Sequence, residues 1–73
     1  MARAKTQYWM DQQARLLDIG ARIFLREGAS AATARRIGRD ARCDDKLVSH
    51  YLGKQDARAE AIRNHAQKIK RSK

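Results

Sequence analysis

The sequence predicts an all-α fold, a small bundle of three to four helices. Three observations carry this expectation. No proline and only four glycines interrupt the 73 residues. Ala, Arg, Lys, Gln and Leu dominate, and these form helices readily because they lose little side-chain freedom there. Apolar residues recur three and four apart, while the sparse β-branched residues nowhere alternate as a strand requires.

The length allows one domain. Large apolar residues are few and alanines many, so the expected core is small. Lys and Arg number 17 against 8 acids, giving a net charge of +9 and a pI near 10.7. Such an excess points to a polyanionic partner, nucleic acid ahead of an acidic membrane face. No run approaches the roughly 18 apolar residues of a membrane span, and no short apolar block behind a charged start reads as a signal peptide. One cysteine, Cys43, excludes a disulfide framework and fits a reducing, intracellular setting. Cys43, His50 and His65 have no ligand-like spacing, so neither a metal site nor a cofactor is expected.

Residues 1–9 carry Arg3 and Lys5, no acid and no helical period. They are expected to form a mobile basic arm, with Tyr8 and Trp9 anchoring its end on the bundle. From about Asp11 to Glu27 the period is helical. Leu16, Leu17, Ile19, Gly20, Ala21, Ile23, Phe24 and Leu25 fill one continuous arc, and Arg15, Asp18, Arg22 and Arg26 the opposite one. Asp11 with Arg15 and Asp18 with Arg22 are acid-before-base pairs one turn apart. Gly28 is the stop. Ala29 to Ala32 form a small-residue connector.

Thr33 is an expected N-cap, its hydroxyl accepting from an amide of the next turn. It opens a short helix to about Arg42, with apolar points at Ala34, Ile37, Gly38 and Ala41. A tight turn follows in which Cys43 is the apolar plug and Asp44 the next N-cap. A third helix, about Asp45 to Leu52, groups Leu47, Val48, Tyr51 and Leu52 on one face and leaves Asp45, Lys46, Ser49 and His50 off it. Gly53 closes it. A fourth helix, Gln55 to about Ile69, has a thin stripe of Ala59, Ile62, Ala66 and Ile69, flanked by Arg58 and His65. No acid follows Glu60, and the last residues are expected to fray. Residues 10–70 are thus the folded domain and 71–73 a basic end.

Two short capped helices joined by a tight turn make a helix-turn-helix. Ala41 is small because the helices cross there, and Cys43 buries in the angle between them. Leu47, Val48 and Leu52 anchor the second helix on Leu16, Leu17, Phe24 and Ile37. The opposite face is held outward, and in this motif it enters the major groove of DNA.

The stretch from about Arg15 to Ile62 resembles the N-terminal DNA-binding domain of the tetracycline-repressor (TetR) family, a homeodomain-like helix-turn-helix. The similar segments are Leu16-Leu17-Asp18-Ile19-Gly20-Ala21 with Ile23-Phe24 and the closing Gly28, then Ala31-Ala32-Thr33-Ala34-Arg35-Arg36-Ile37-Gly38. The most specific is Leu47-Val48-Ser49-His50-Tyr51-Leu52-Gly53-Lys54-Gln55-Asp56. The resemblance implies that Lys46, Leu47, Ser49 and His50 read base edges, with Asp45 just before them. It also implies phosphate contacts for Thr33, Arg35, Tyr51, Lys54 and Gln55. The sequence departs from the family's pattern at five positions: Arg42 replaces the usual turn glycine, Asp44 and Asp45 replace commoner uncharged residues, Arg58 stands where a large apolar residue is preferred, and Ala32 replaces a frequent hydroxyl residue. The family's C-terminal domain, which binds inducer and dimerises, has no counterpart in this chain.

The expected function is sequence-specific binding of double-stranded DNA by a small transcriptional regulator, a repressor that occludes its operator. The expected partner is a palindromic site bound by a homodimer, with Arg3 and Lys5 of the arm in the adjacent minor groove. The expected setting is the bacterial cytoplasm at the nucleoid, in a plasmid or phage regulator without membrane partner or inducer domain. Two rivals are an architectural or recombination accessory protein and a protein-interaction module. No catalytic residue is expected: there is no paired acid and base, and the cysteine lacks a positioned histidine. Simpler roles are preferred for Cys43 (a plug, not a redox sensor), for His65 (a helix flank), and for Arg15, Arg22 and Arg26 (a solvated face).

Overall fold

A computed structural model describes residues 5–71. They form four α-helices and one 3-10 turn, with no strand among the described residues: α1 (Lys5–Glu27), the 3-10 turn (Ala29–Ala31), α2 (Ala34–Ala41), α3 (Asp45–Leu52) and α4 (Gln55–Arg71). The architecture is the all-helical bundle that composition and periodicity predict.

The start of α1 is the main correction. The helix begins at Lys5 rather than near Asp11, so residues 5–9 are helical and not an extended arm. Nothing in this segment breaks a helix. The Gln7 side-chain amide donates to the Asp11 carboxylate one turn on, at 3.0 Å. Trp9 packs on Tyr51 of α3 with ring centroids 5.3 Å apart. That contact comes from another helix, so periodicity along α1 alone does not reveal it. Tyr8, expected to dock beside Trp9, is 57% exposed. Lys5 is therefore the first residue of α1, and Arg3 lies outside the described residues.

Each helix sends one fully buried β-branched side chain to the centre: Ile23 from α1, Ile37 from α2, Val48 from α3 and Ile62 from α4. Their small loss of helix propensity is outweighed by burial, worth roughly 2 kcal/mol for such a side chain. Leu16, Ala21, Ala41, Leu52 and Ala66 complete the core, and no polar or charged side chain among the described residues is buried. Leu17, Ile19 and Phe24 are half-buried, while Leu25, at the edge of the expected apolar arc, is 41% exposed.

Of the expected α4 stripe only Ile62 and Ala66 are buried, Ile69 being half-buried and Ala59 exposed, and this suffices because α1 lets α4 come close. A Cβ at Gly20 would stand 2.9 Å from Ile62 Cδ1 and 3.0 Å from Ile37 Cδ1. The contacts of α1 with α4 are the most extensive in the molecule. Helices α2 and α3 pack chiefly on each other and on α1.

Candidate nucleic-acid interface

The turn between α2 and α3 sets how α3 is presented. Arg42 is left-handed, with φ 61° and ψ 47°, and is the one non-glycine with positive φ among the described residues. The Cys43 amide donates to the Gly38 carbonyl at 2.8 Å and the Arg42 amide to the Arg39 carbonyl at 3.2 Å. These paired bonds are a Schellman closure, which satisfies carbonyls that a helix end otherwise leaves free. It folds the chain so tightly that a Cβ on Gly38 would come within 2.7 Å of the Cys43 carbonyl oxygen. The closest approach in the turn is thus at Gly38, while Ala41 is buried beside it. Cys43 is half-buried against the core, as a plug should be.

Both caps form where expected. The Thr33 hydroxyl accepts from the Arg36 amide at 3.1 Å. The Asp44 carboxylate accepts from the Lys46 amide at 3.5 Å. The Asp44 carboxyl is held below the usual carboxylate range, first by its hydrogen bond with Asp45 and then by the Lys46 amide. The positive end of the α3 dipole accommodates these two acids.

Helix α1 braces the pair from behind. The Arg15 guanidinium donates to the Ala41 carbonyl at the end of α2, at 3.2 Å. The Gln13 side-chain amide donates to the Tyr51 carbonyl near the end of α3, at 3.0 Å. Arg15 is exposed, as a solvated face requires, while its guanidinium ties down the Ala41 carbonyl. Arg22 is likewise exposed and is paired with Asp18 at 2.9 Å. The available signal was position: Gln13 lies one turn before Leu16 and Leu17, and Arg15 one turn before Ile19, where long polar side chains reach over the buried arc.

A third tie joins the end of α1 to the start of α2. Arg36 grips Glu27 with both terminal nitrogens, at 2.6 and 2.9 Å, and its Nε lies 3.5 Å from Asp40. The hydrogen bond from Arg36 holds the Glu27 carboxyl below its usual range, and Glu27 in turn raises the Arg36 guanidinium. This pair spans the connector, so helical spacing could not reveal it.

On α3, Val48 and Leu52 point inward and are buried. Asp45, Lys46, Leu47, Ser49 and His50 are all exposed. Leu47 is 42% exposed and is thus not the core anchor that spacing assigned, although its surface place suits the base-reading role. Tyr51 is half-buried, with Trp9 on one side and the His50 ring edge-on at 5.5 Å. Thr33 and Arg35 are exposed at the start of α2, and Lys54 and Gln55 at the start of α4. Thr33 and Gln55 line one cleft, so the starts of α2 and α4 are neighbours.

The cations are unevenly paired. Arg36 engages Glu27 and Asp40, and Arg22 and His65 engage Asp18. Arg35, Arg39, Arg42, Lys46 and Lys54 have no carboxylate within ion-pair distance among the described residues. No described helix is long and apolar enough to cross a membrane. Compared with family models, curated proteins and solved structures, the chain finds no match.

Proposed function

We propose that this chain binds double-stranded DNA sequence-specifically, as a helix-turn-helix regulator of the tetracycline-repressor type that represses by occupying its operator. One observation carries the reading. The inward positions of α3 are buried, its outward positions Lys46, Leu47, Ser49 and His50 are all exposed, and the exposed cations Arg35 and Arg39 of α2, Arg42 of the turn before α3 and Lys54 just after it have no carboxylate partner among the described residues.

In this reading α3 enters the major groove. Lys46 donates to guanine acceptors, Ser49 and His50 hydrogen-bond base edges, Leu47 meets a thymine methyl, and Asp45 accepts from a cytosine amine. Thr33, Arg35, Tyr51, Lys54 and Gln55 hold the phosphate strands on either side. The Schellman turn and the braces from Arg15 and Gln13 keep α3 from rotating as it docks, so less ordering remains to be done on binding. An eight-residue helix spans few base pairs, so two copies on a palindrome supply the remaining discrimination.

Selection of bound sites from a random duplex pool tests this directly. A palindromic motif is expected. Recovery of no motif would replace the reading with a sequence-indifferent DNA bender, and no retention of duplex at any salt would remove DNA altogether.

A further inference from the structure

A cleft of about 180 Å³ opens between the 3-10 turn and the first turns of α4. Phe24, Ala59 and Ile62 are among its apolar lining residues, and Arg58 and Arg63 line it too. No carboxylate lines it. The void has a local cause. Ala29, Ala32 and Ala59 are too small to fill the space. Arg58 sits at the joint where a large apolar side chain would plug it, and instead turns its guanidinium toward the Gly53 carbonyl, at 3.5 Å. That bond is long and leaves most of its donors unused. Arg63 is exposed and has no ion-pair partner among the described residues.

We infer that this cleft is a binding site for a small amphipathic carboxylate, its apolar tail against Phe24, Ala59 and Ile62 and its carboxylate on Arg58 and Arg63. The size is sufficient, since an apolar cavity of roughly 150 Å³ takes up benzene. The charge selects an anion, because two arginines and no acid line the space. A planar guanidinium also matches a carboxylate with two parallel hydrogen bonds, which an alcohol cannot reproduce. Bare phosphate would satisfy the cations but leave the apolar wall wet.

A consequence follows that rests on the proposed DNA reading. Thr33 and Gln55, two of the phosphate-holding residues, are on the wall of the same cleft. A bound carboxylate places negative charge beside the phosphate strand and weakens binding to duplex.

The test uses the whole chain and three probes: hexanoate, hexanol and inorganic phosphate. Amide shifts are followed by two-dimensional NMR without DNA. Hexanoate is expected to saturate at millimolar concentration or below, with the largest shifts at Ser30, Ala59 and Ile62. It should do so well below the concentration at which either control moves them. Arg63→Gln is expected to weaken hexanoate about tenfold through loss of a charge-assisted contact. Ala59→Leu, which fills the cleft from an exposed position, should abolish saturation while the spectrum stays dispersed. The site is refuted if hexanol matches hexanoate, or if hexanoate and phosphate shift the same basic residues all over the surface. A gel-shift titration with duplex is read separately. Hexanoate bound without loss of DNA affinity refutes the antagonism and leaves the site standing. A chain that binds no duplex refutes the DNA reading and leaves the probe titrations to decide the site.

Discussion

Arg42 occupies a backbone conformation better suited to glycine. For a side-chain-bearing residue, left-handed geometry costs on the order of 1 kcal/mol. Arg42→Gly removes that strain, offset in part by the greater freedom glycine gives the unfolded chain. The thermal midpoint is expected to rise, and a fall would mean that the arginine side chain itself holds the turn. Gly38→Ala runs the other way. The added methyl meets the backbone carbonyl oxygen of Cys43 in the tight turn, not the flexible tip of a side chain. A loss of about 1–3 kcal/mol is expected, seen as a lower urea midpoint at unchanged slope. The two residues differ in how legible they were. Helical spacing marks Gly38 as inward-facing and the family resemblance marks Arg42 as a departure. The short distance that makes glycine necessary at position 38 exists only once the turn is closed.

At the scale of elements, the joint between α1 and α2 is expected to depend on pH. Glu27 has its carboxyl lowered by Arg36. Its contribution to folding is therefore fully present above the ordinary carboxylate range and is lost as pH falls through the lowered value. Urea midpoints at pH 7 and pH 3 should differ more in the parent chain than in Glu27→Gln. Equal differences would mean that the ion pair is as open in water as an average surface pair. Helices α2 and α3 were readable to within a residue at each end, because their signals are local: Thr33 and Asp44 cap, Gly53 stops, and each apolar point has its partner within one turn. The start of α1 was not readable, since what orders it is Trp9 against Tyr51. Nor was the grip of α4, which depends on the missing side chain of Gly20 on the facing helix.

For the whole molecule the net charge of +9 and its uneven neutralisation govern how duplex is met. Phosphate contacts release counterions and so set the salt dependence, while base contacts set sequence preference. Lys54→Gln is expected to lower the slope of log affinity against log salt by about 1 and to leave the preferred sequence unchanged. Lys46→Ala should cost roughly 1–3 kcal/mol on the selected site, little on scrambled duplex, and relax one base position. Equal losses on both duplexes would move Lys46 from the reading group to the phosphate group. The outward face of α3 could be listed from sequence except for Leu47, which spacing placed inward, because an eight-residue amphipathic helix otherwise declares its own two sides. The groups that steady it from α1 could not, as a lone Gln or Arg beside an apolar arc looks the same whether it points to water or to a neighbouring carbonyl.

Trp9 is the only tryptophan in the chain, and its ring rests on Tyr51, which itself meets His50. The protein therefore carries an intrinsic optical reporter at the place where α1 supports α3. Any event that displaces Tyr51 or loosens the first turns of α1 will alter indole emission, so occupancy can be followed in real time on the unlabelled native chain.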